Sequence, residues 1–180
     1  MAHKFSTSYT EDSLSLFHFY KKLGEGAMEQ VTDDQLFARL DEEMNSIAII
    51  VKHMAGNMRS RWTNFLTSDG EKPDRHTEFI DPPDTRPALM QVWNEGWQMV
   101  FKAVEPLSDS DLERKVTIRG ESHSVMQAIN RQIAHYAYHC GQIVFLAKHF
   151  KATDWKSLSV PRNKSSDFNR RVLAGDASQR

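Results

Sequence analysis

Little in this 180-residue sequence could fasten the chain by covalent bonds or bury it in lipid. It has one cysteine, Cys140, so no disulfide framework can form within it. No run of about 18 apolar residues occurs, and the mean hydropathy of -0.58 excludes a membrane protein built on spanning helices. The first residues, Met-Ala-His-Lys-Phe followed by Ser and Thr, lack the apolar core of a signal peptide. With a single cysteine, that makes a cytoplasmic protein the expectation. The formal charge of -1 leaves no general electrostatic grip on nucleic acid. G-x-x-x-x-G-K-[ST], G-x-G-x-x-G and G-x-S-x-G are all missing, which removes local support for nucleotide-binding and serine-hydrolase readings. No acidic residues stand at the spacing of a carboxylate di-metal bundle.

What is present is helical periodicity. Residues 7–27 carry Leu16, Phe19, Tyr20 and Leu23 at helical spacing and predict a helix ending near Gly24 and Gly26. Thr32 and Gln35 have the form of a capping box that opens a short helix. The stripe Ile47, Val51, Met54, Met58, Trp62 and Phe65 predicts a long helix from about Glu42 to Leu66. Residues 68–84 are dense in Gly, Pro and Asp and read as a long loop. A further helix is expected over Pro87 to Val104, with Trp93 and Trp97 packing inward. Ser124 and Gln127 form a second capping box, opening a helix that reaches about Phe150. Residues 113–121 alternate briefly and read as an extended connector, not a sheet.

These patterns predict one all-α domain over residues 1–150, an antiparallel four-helix bundle with a long loop between its second and third long helices. Residues 151–180 hold seven basic against three acidic residues, a balance of +4 that leaves -5 for the rest. They read as a basic, partly ordered tail pinned at its start by Trp155 and Leu158.

Eight histidines are the distinctive feature. His3 lies at the terminus, His123 at a helix entrance, His149 at a helix exit and His76 on the long loop. His18, between Phe17 and Phe19, reads as a partly buried packing residue. His135 and His139 stand four apart and project from one helix face, so they can grip one ion. His53 and Asn57 repeat that spacing on the second long helix. At 3.6 residues per turn, His53 lies about 120° round from Ile47 and His135 about 120° round from Ile129, on equivalent flanks. Two facing helices would bring these side chains together in or near the core. Cys140 points into the apolar stripe and reads as a small buried residue.

Three neutral imidazoles with open positions describe a catalytic metal site better than a closed structural one. Imidazole suits zinc, nickel, copper or iron, and the residues alone do not choose among them. Such an ion acidifies bound water, or ionises a substrate thiol.

H-x-x-x-N at His53–Asn57 and H-x-x-x-H at His135–His139, in a four-helix chain of this length, resemble the DinB/YfiT-like superfamily. The closer resemblance is to an uncharacterised branch of it. The matching stretches are Asn45 to His53, Gly56-Asn57-Met58, Ser60-Arg61-Trp62 and Asp69 to Lys72. They continue with Arg75, Glu78-Phe79 and His135 to Ile143. The likeness covers roughly residues 8–150.

It implies one divalent ion, nickel or zinc, on His53, His135 and His139, in a bundle that commonly forms a homodimer. It also implies a small-molecule substrate, either a low-molecular-weight thiol of the bacillithiol or glutathione type in S-transfer, or a hydrolase substrate. Arg61, Lys72, Arg75 and His76 are candidates to contact an acidic thiol, against a plain reading as surface charge. Asn57 and Gln142 are candidates to support the ligands or line the cavity. A non-catalytic metal- or ligand-binding stress-response protein, and a dimerisation module with vestigial histidines, stay open as alternatives.

Overall fold

Helix starts are set by side chains that take the first free backbone N–H groups. In the computed structural model, which describes residues 8–71 and 74–177, helix α1 (Tyr9–Met28) opens on Ser8 and α2 (Asp33–Phe37) on Thr32. Helix α3 (Ile47–Trp62) opens on Ser46, whose hydroxyl accepts from Ile49 N at 3.2 Å. Helix α4 (Arg86–Val104) carries Pro87 in its first turn. Helix α5 (Val125–Lys151) opens on the Ser124–Gln127 box expected from the sequence. A short helix, α6 (Ser165–Leu173), lies in the basic tail. The described residues are thus mostly helical, and no helix among them is long and apolar enough to cross a membrane.

Four local expectations need correction. Helix α1 runs through Gly24 and Gly26, because these glycines serve close approach: a Cβ at Gly24 would stand 2.8 Å from the Trp93 indole. Helix α3 starts at Ile47, not near Glu42. Asp41 accepts from the N–H groups of Glu43 and Met44, at 2.9 Å each, and offers that stretch a non-helical solution. The same helix stops at Trp62, with Thr63 extended and Asn64 left-handed at φ 51°.

Residues 113–121 are not a plain connector. Lys115–Ile118 (β1) pairs antiparallel with Glu121–Ser124 (β2) in a two-stranded hairpin. Arg119 and Gly120 both take positive φ, 53° and 78°, as a two-residue hairpin turn requires. Val116 and Ile118 face the core. Lastly, His18 is exposed, stacked flat on Phe101 with ring centroids 4.1 Å apart.

The core lies between α1, α3, α4 and α5, where Phe17, Trp62, Trp93, Trp97 and Tyr136 are buried. Phe17 meets Trp62 edge-on at 5.9 Å, and Trp97 meets Tyr136 at 5.5 Å. Cys140 is buried with its thiol on the Tyr20 carbonyl, and burial pushes its pKa up to about 12. The Tyr136 hydroxyl accepts from Trp62 Nε1 at 2.8 Å and donates to Asn57 Oδ1 at 3.2 Å.

Tyr136→Phe strands both of these buried partners, so it should cost about 1–3 kcal/mol of stability with helical content unchanged. Urea titration followed by circular dichroism measures this, and an unchanged midpoint would show the phenol to be dispensable.

Candidate metal centre

His53 sits at mid-length on α3, between Met54 and Val51 of its buried stripe, so its ring leaves the core at the flank that faces α5. His135 and His139 stand one turn apart on α5. His135 Nε2 lies 3.3 Å from His53 Nε2 and 3.0 Å from His139 Nε2. One nitrogen from each of the three rings falls within 4.8 Å of the other two. His53 and His139 are nearly buried, and His135 is partly exposed.

The outer nitrogens define the tautomers. His53 Nδ1 lies 2.9 Å from Glu78 Oε2. Burial would raise the Glu78 pKa, but hydrogen bonds from His53 and Arg75 bring it below the usual carboxylate range. An ionised carboxylate only accepts, so His53 carries its proton on Nδ1 and turns the Nε2 lone pair inward. His139 does the same: its Nδ1 lies 2.8 Å from Gln142 Oε1, while the Gln142 amide nitrogen donates to the Tyr138 hydroxyl at 3.2 Å. Phe79 stacks on the His53 ring at 4.3 Å, and Tyr138 stands edge-on to His139 at 4.9 Å.

This donor set fits a cation. Two bare lone pairs face His135, which in its neutral form has one N–H and can satisfy only one of them. His135 Nδ1 is itself buried without a partner among the described residues. Three nitrogens about 2.0–2.1 Å from a tetrahedral ion stand about 3.3 Å apart, close to the separations found here. Burial first, then the charges of His139, His53, Arg75 and Arg131, push the His135 pKa down to about 3. Burial likewise lowers His139. Neutral imidazoles are the ligating form.

A family model described as "Protein of unknown function (DUF1572)" matches residues 4–164. The chain belongs to this family. A search of the curated proteins finds no match. The DUF1572 match spans both ligand-bearing helices and the loop between α3 and α4.

The other residues named from the sequence fall in different places. Gln142 touches His139. Asn57 is buried but binds Tyr136, not a histidine. Arg61 is buried on the last turn of α3, in ion pairs with Asp69 and Glu71. Arg75 pairs with Glu78 at 3.0 Å and Glu71 at 3.6 Å, beside the site. His76 is exposed on the 3-10 turn Arg75–Phe79. Lys72 lies outside the described residues.

Glu78 lies in a stretch that carries the family resemblance, but the sequence assigns it no role, because a carboxylate on an aperiodic loop gives no spacing signal. Gly56 makes its approach possible: a Cβ there would stand 2.7–2.8 Å from the Glu78 side chain. Glu78 and Arg75 also line a cleft of about 730 Å³ with Lys52, Arg59 and Val92, but none of the three histidines lines it.

Gly56→Ala should change stability by no more than about 1 kcal/mol, the helix preference of alanine being set against the bonds to His53 and Arg75 that Glu78 loses. By displacing Glu78 it should weaken zinc binding about tenfold, as should Glu78→Gln. Isothermal titration with zinc checks both, and unchanged affinity in the two variants would show that Glu78 does not orient His53.

The metal-free protein should also be acid-sensitive. The folded pKa values of His135 and His139 lie below the ordinary 6.5, so the unfolded chain binds more protons as pH falls through that value. Tm should therefore be level above about pH 7 and drop from pH 6.5 downward. His135→Phe should flatten that drop in thermal melts across pH.

Proposed function

We propose that the chain is a metal-dependent enzyme of the DinB/YfiT-like kind, an antiparallel bundle of four long helices, α1, α3, α4 and α5. In this reading a zinc or nickel ion on His53, His135 and His139 serves the transfer of a low-molecular-weight thiol onto a small electrophile. The observation that carries it is the convergence of three imidazole Nε2 atoms, two of them on rings whose Nδ1 is engaged outward by Glu78 and Gln142. A divalent cation held there supplies Lewis acidity, which lowers the pKa of a coordinated thiol.

The chain's own residues supply the rest. Glu78 and Gln142 fix two ring orientations, and Arg75 holds Glu78 in place. Burial keeps His135 neutral and available as a donor. Phe79 and Tyr138 wall the site with aromatic surface suited to a small organic electrophile. The same reading makes the protein a cytoplasmic homodimer acting on small molecules, with the dimer testable by sedimentation.

Purification without a histidine tag should give about one zinc or nickel per chain, lost in His53→Ala and His135→Ala. The loaded protein should conjugate glutathione or 2-mercaptoethanol to 1-chloro-2,4-dinitrobenzene faster than the metal-free protein. Failure to bind metal sinks the site. Stoichiometric metal without metal-dependent conjugation of any thiol sinks S-transfer.

A further inference from the structure

The cleft of about 730 Å³ beside Glu78 is lined by α3, α4 and the loop that joins them, and it has the size of a small-molecule site. Its walls differ in charge. The charged residues that α3 places on it, Lys52 and Arg59, are both cations. The loop contributes Asp74, Asp81 and Asp84, together with Arg75 and Glu78, which neutralise each other in an ion pair at 3.0 Å. Ala55, Pro82, Pro83 and Val92 add apolar surface. Lys52 and Arg59 are seven residues apart, so they share one face of α3 and stand about 10 Å apart along its axis. At the Lys52 end, the ammonium is turned onto the carbonyls of Ile80 and Asp81, which brings the loop at Asp81 against it. The Asp81 and Asp84 carboxylates are exposed and, among the described residues, in no ion pair. At the other end Arg59 meets Glu95 at 3.6 Å, each side chain nearly half exposed. A ligand carboxylate can replace so weak a contact.

We infer that this cleft binds a small zwitterion, its ammonium at Asp81 and Asp84 and its carboxylate at Arg59, about 10 Å apart. A molecule with one sign of charge would gain at one end only. Three residues of extended peptide span that distance, as does an unbranched ω-amino acid of about eight carbons. Arg59 offers a carboxylate the two-pronged hydrogen bonding that a lysine lacks. The site is separate from the metal centre and does not rest on its chemistry. Glu78 belongs to both, lining the cleft and touching His53.

Trialanine, N-acetyl-trialanine and trialanine amide carry both end charges, the carboxylate alone and the ammonium alone. Isothermal titration of the full chain at low salt should show trialanine binding about tenfold more tightly than either blocked form. Alanine, whose two charges share one carbon, should bind about tenfold more weakly than trialanine as well. 8-Aminooctanoate separates the sources: affinity like that of trialanine marks a site that reads the two charges, and weaker binding marks one that reads the peptide groups too. Arg59→Gln should abolish the preference for trialanine over its amide and keep that over the acetylated form. Asp81→Asn combined with Asp84→Asn should do the reverse; asparagine tolerates the left-handed backbone at position 81, where φ is 46°. These side chains are exposed, so helical content should not change. Equal affinity of the wild type for trialanine and its blocked forms overturns the inference, and so does an undiminished carboxylate preference in Arg59→Gln.

Discussion

The hydroxyl of Tyr136, fully buried on α5, takes the indole proton of Trp62 and gives its own to Asn57, and both partners belong to α3. Two bonds to points five residues apart leave little freedom for one helix to slide or roll on the other. Apolar contact alone would not fix that register, since hydrophobic burial is non-directional. His135 is the residue before Tyr136, and His139 follows one turn on. Because Tyr136 is held in place, both imidazoles lie opposite His53, with one nitrogen of each of the three rings within 4.8 Å of the other two. The aromatic cluster of Phe17, Trp97 and Tyr136 backs this lock from the side of α1 and α4.

The segment between α3 and α4 is tied down by charge instead. Asp69 accepts from the backbone N–H groups of Arg119 and Gly120 in the hairpin turn, at 2.9 and 2.8 Å, and also pairs with Arg61. Those bonds offset the burial that would raise its pKa and hold it low. Glu71 pairs with Arg61 and Arg75, and Arg75 passes the connection to Glu78 and so to His53. Buried ion pairs of this kind add little net stability, because desolvation consumes most of the attraction. What they supply is position. Past Phe65 and Leu66, which pack on the core, the described loop residues bury no large apolar side chain, yet the carboxylate beside His53 is fixed by alternating charges that begin at the hairpin.

The reading of the sequence succeeded where period and cap agree. The stripes on α3 and α5 located His53, His135 and His139 on facing flanks, and the capping boxes at Thr32 and Ser124 fixed two helix starts. It failed where structure depends on partners far along the chain. The second hairpin strand, Glu-Ser-His-Ser, is polar and has no strand pattern of its own; it exists because β1 pairs with it. Arg61 looked like a surface cation because its burial depends on Asp69 and Glu71, which lie in a loop without periodicity. Asn57 had the right flank and spacing, but its amide is claimed by Tyr136. In each case face and spacing were legible, and the choice of partner was not.

Gly56 lies in the middle of α3, where helix propensity on its own would favour alanine. The bare backbone is needed because the Glu78 side chain occupies the space a methyl group would take. Positions 56 and 78 therefore form one unit of sequence despite lying in different elements. A side chain at that turn of the helix has to push the carboxylate aside, so a change at position 56 reaches His53 through position 78, whereas a shorter residue at 78 makes room for a methyl group at 56.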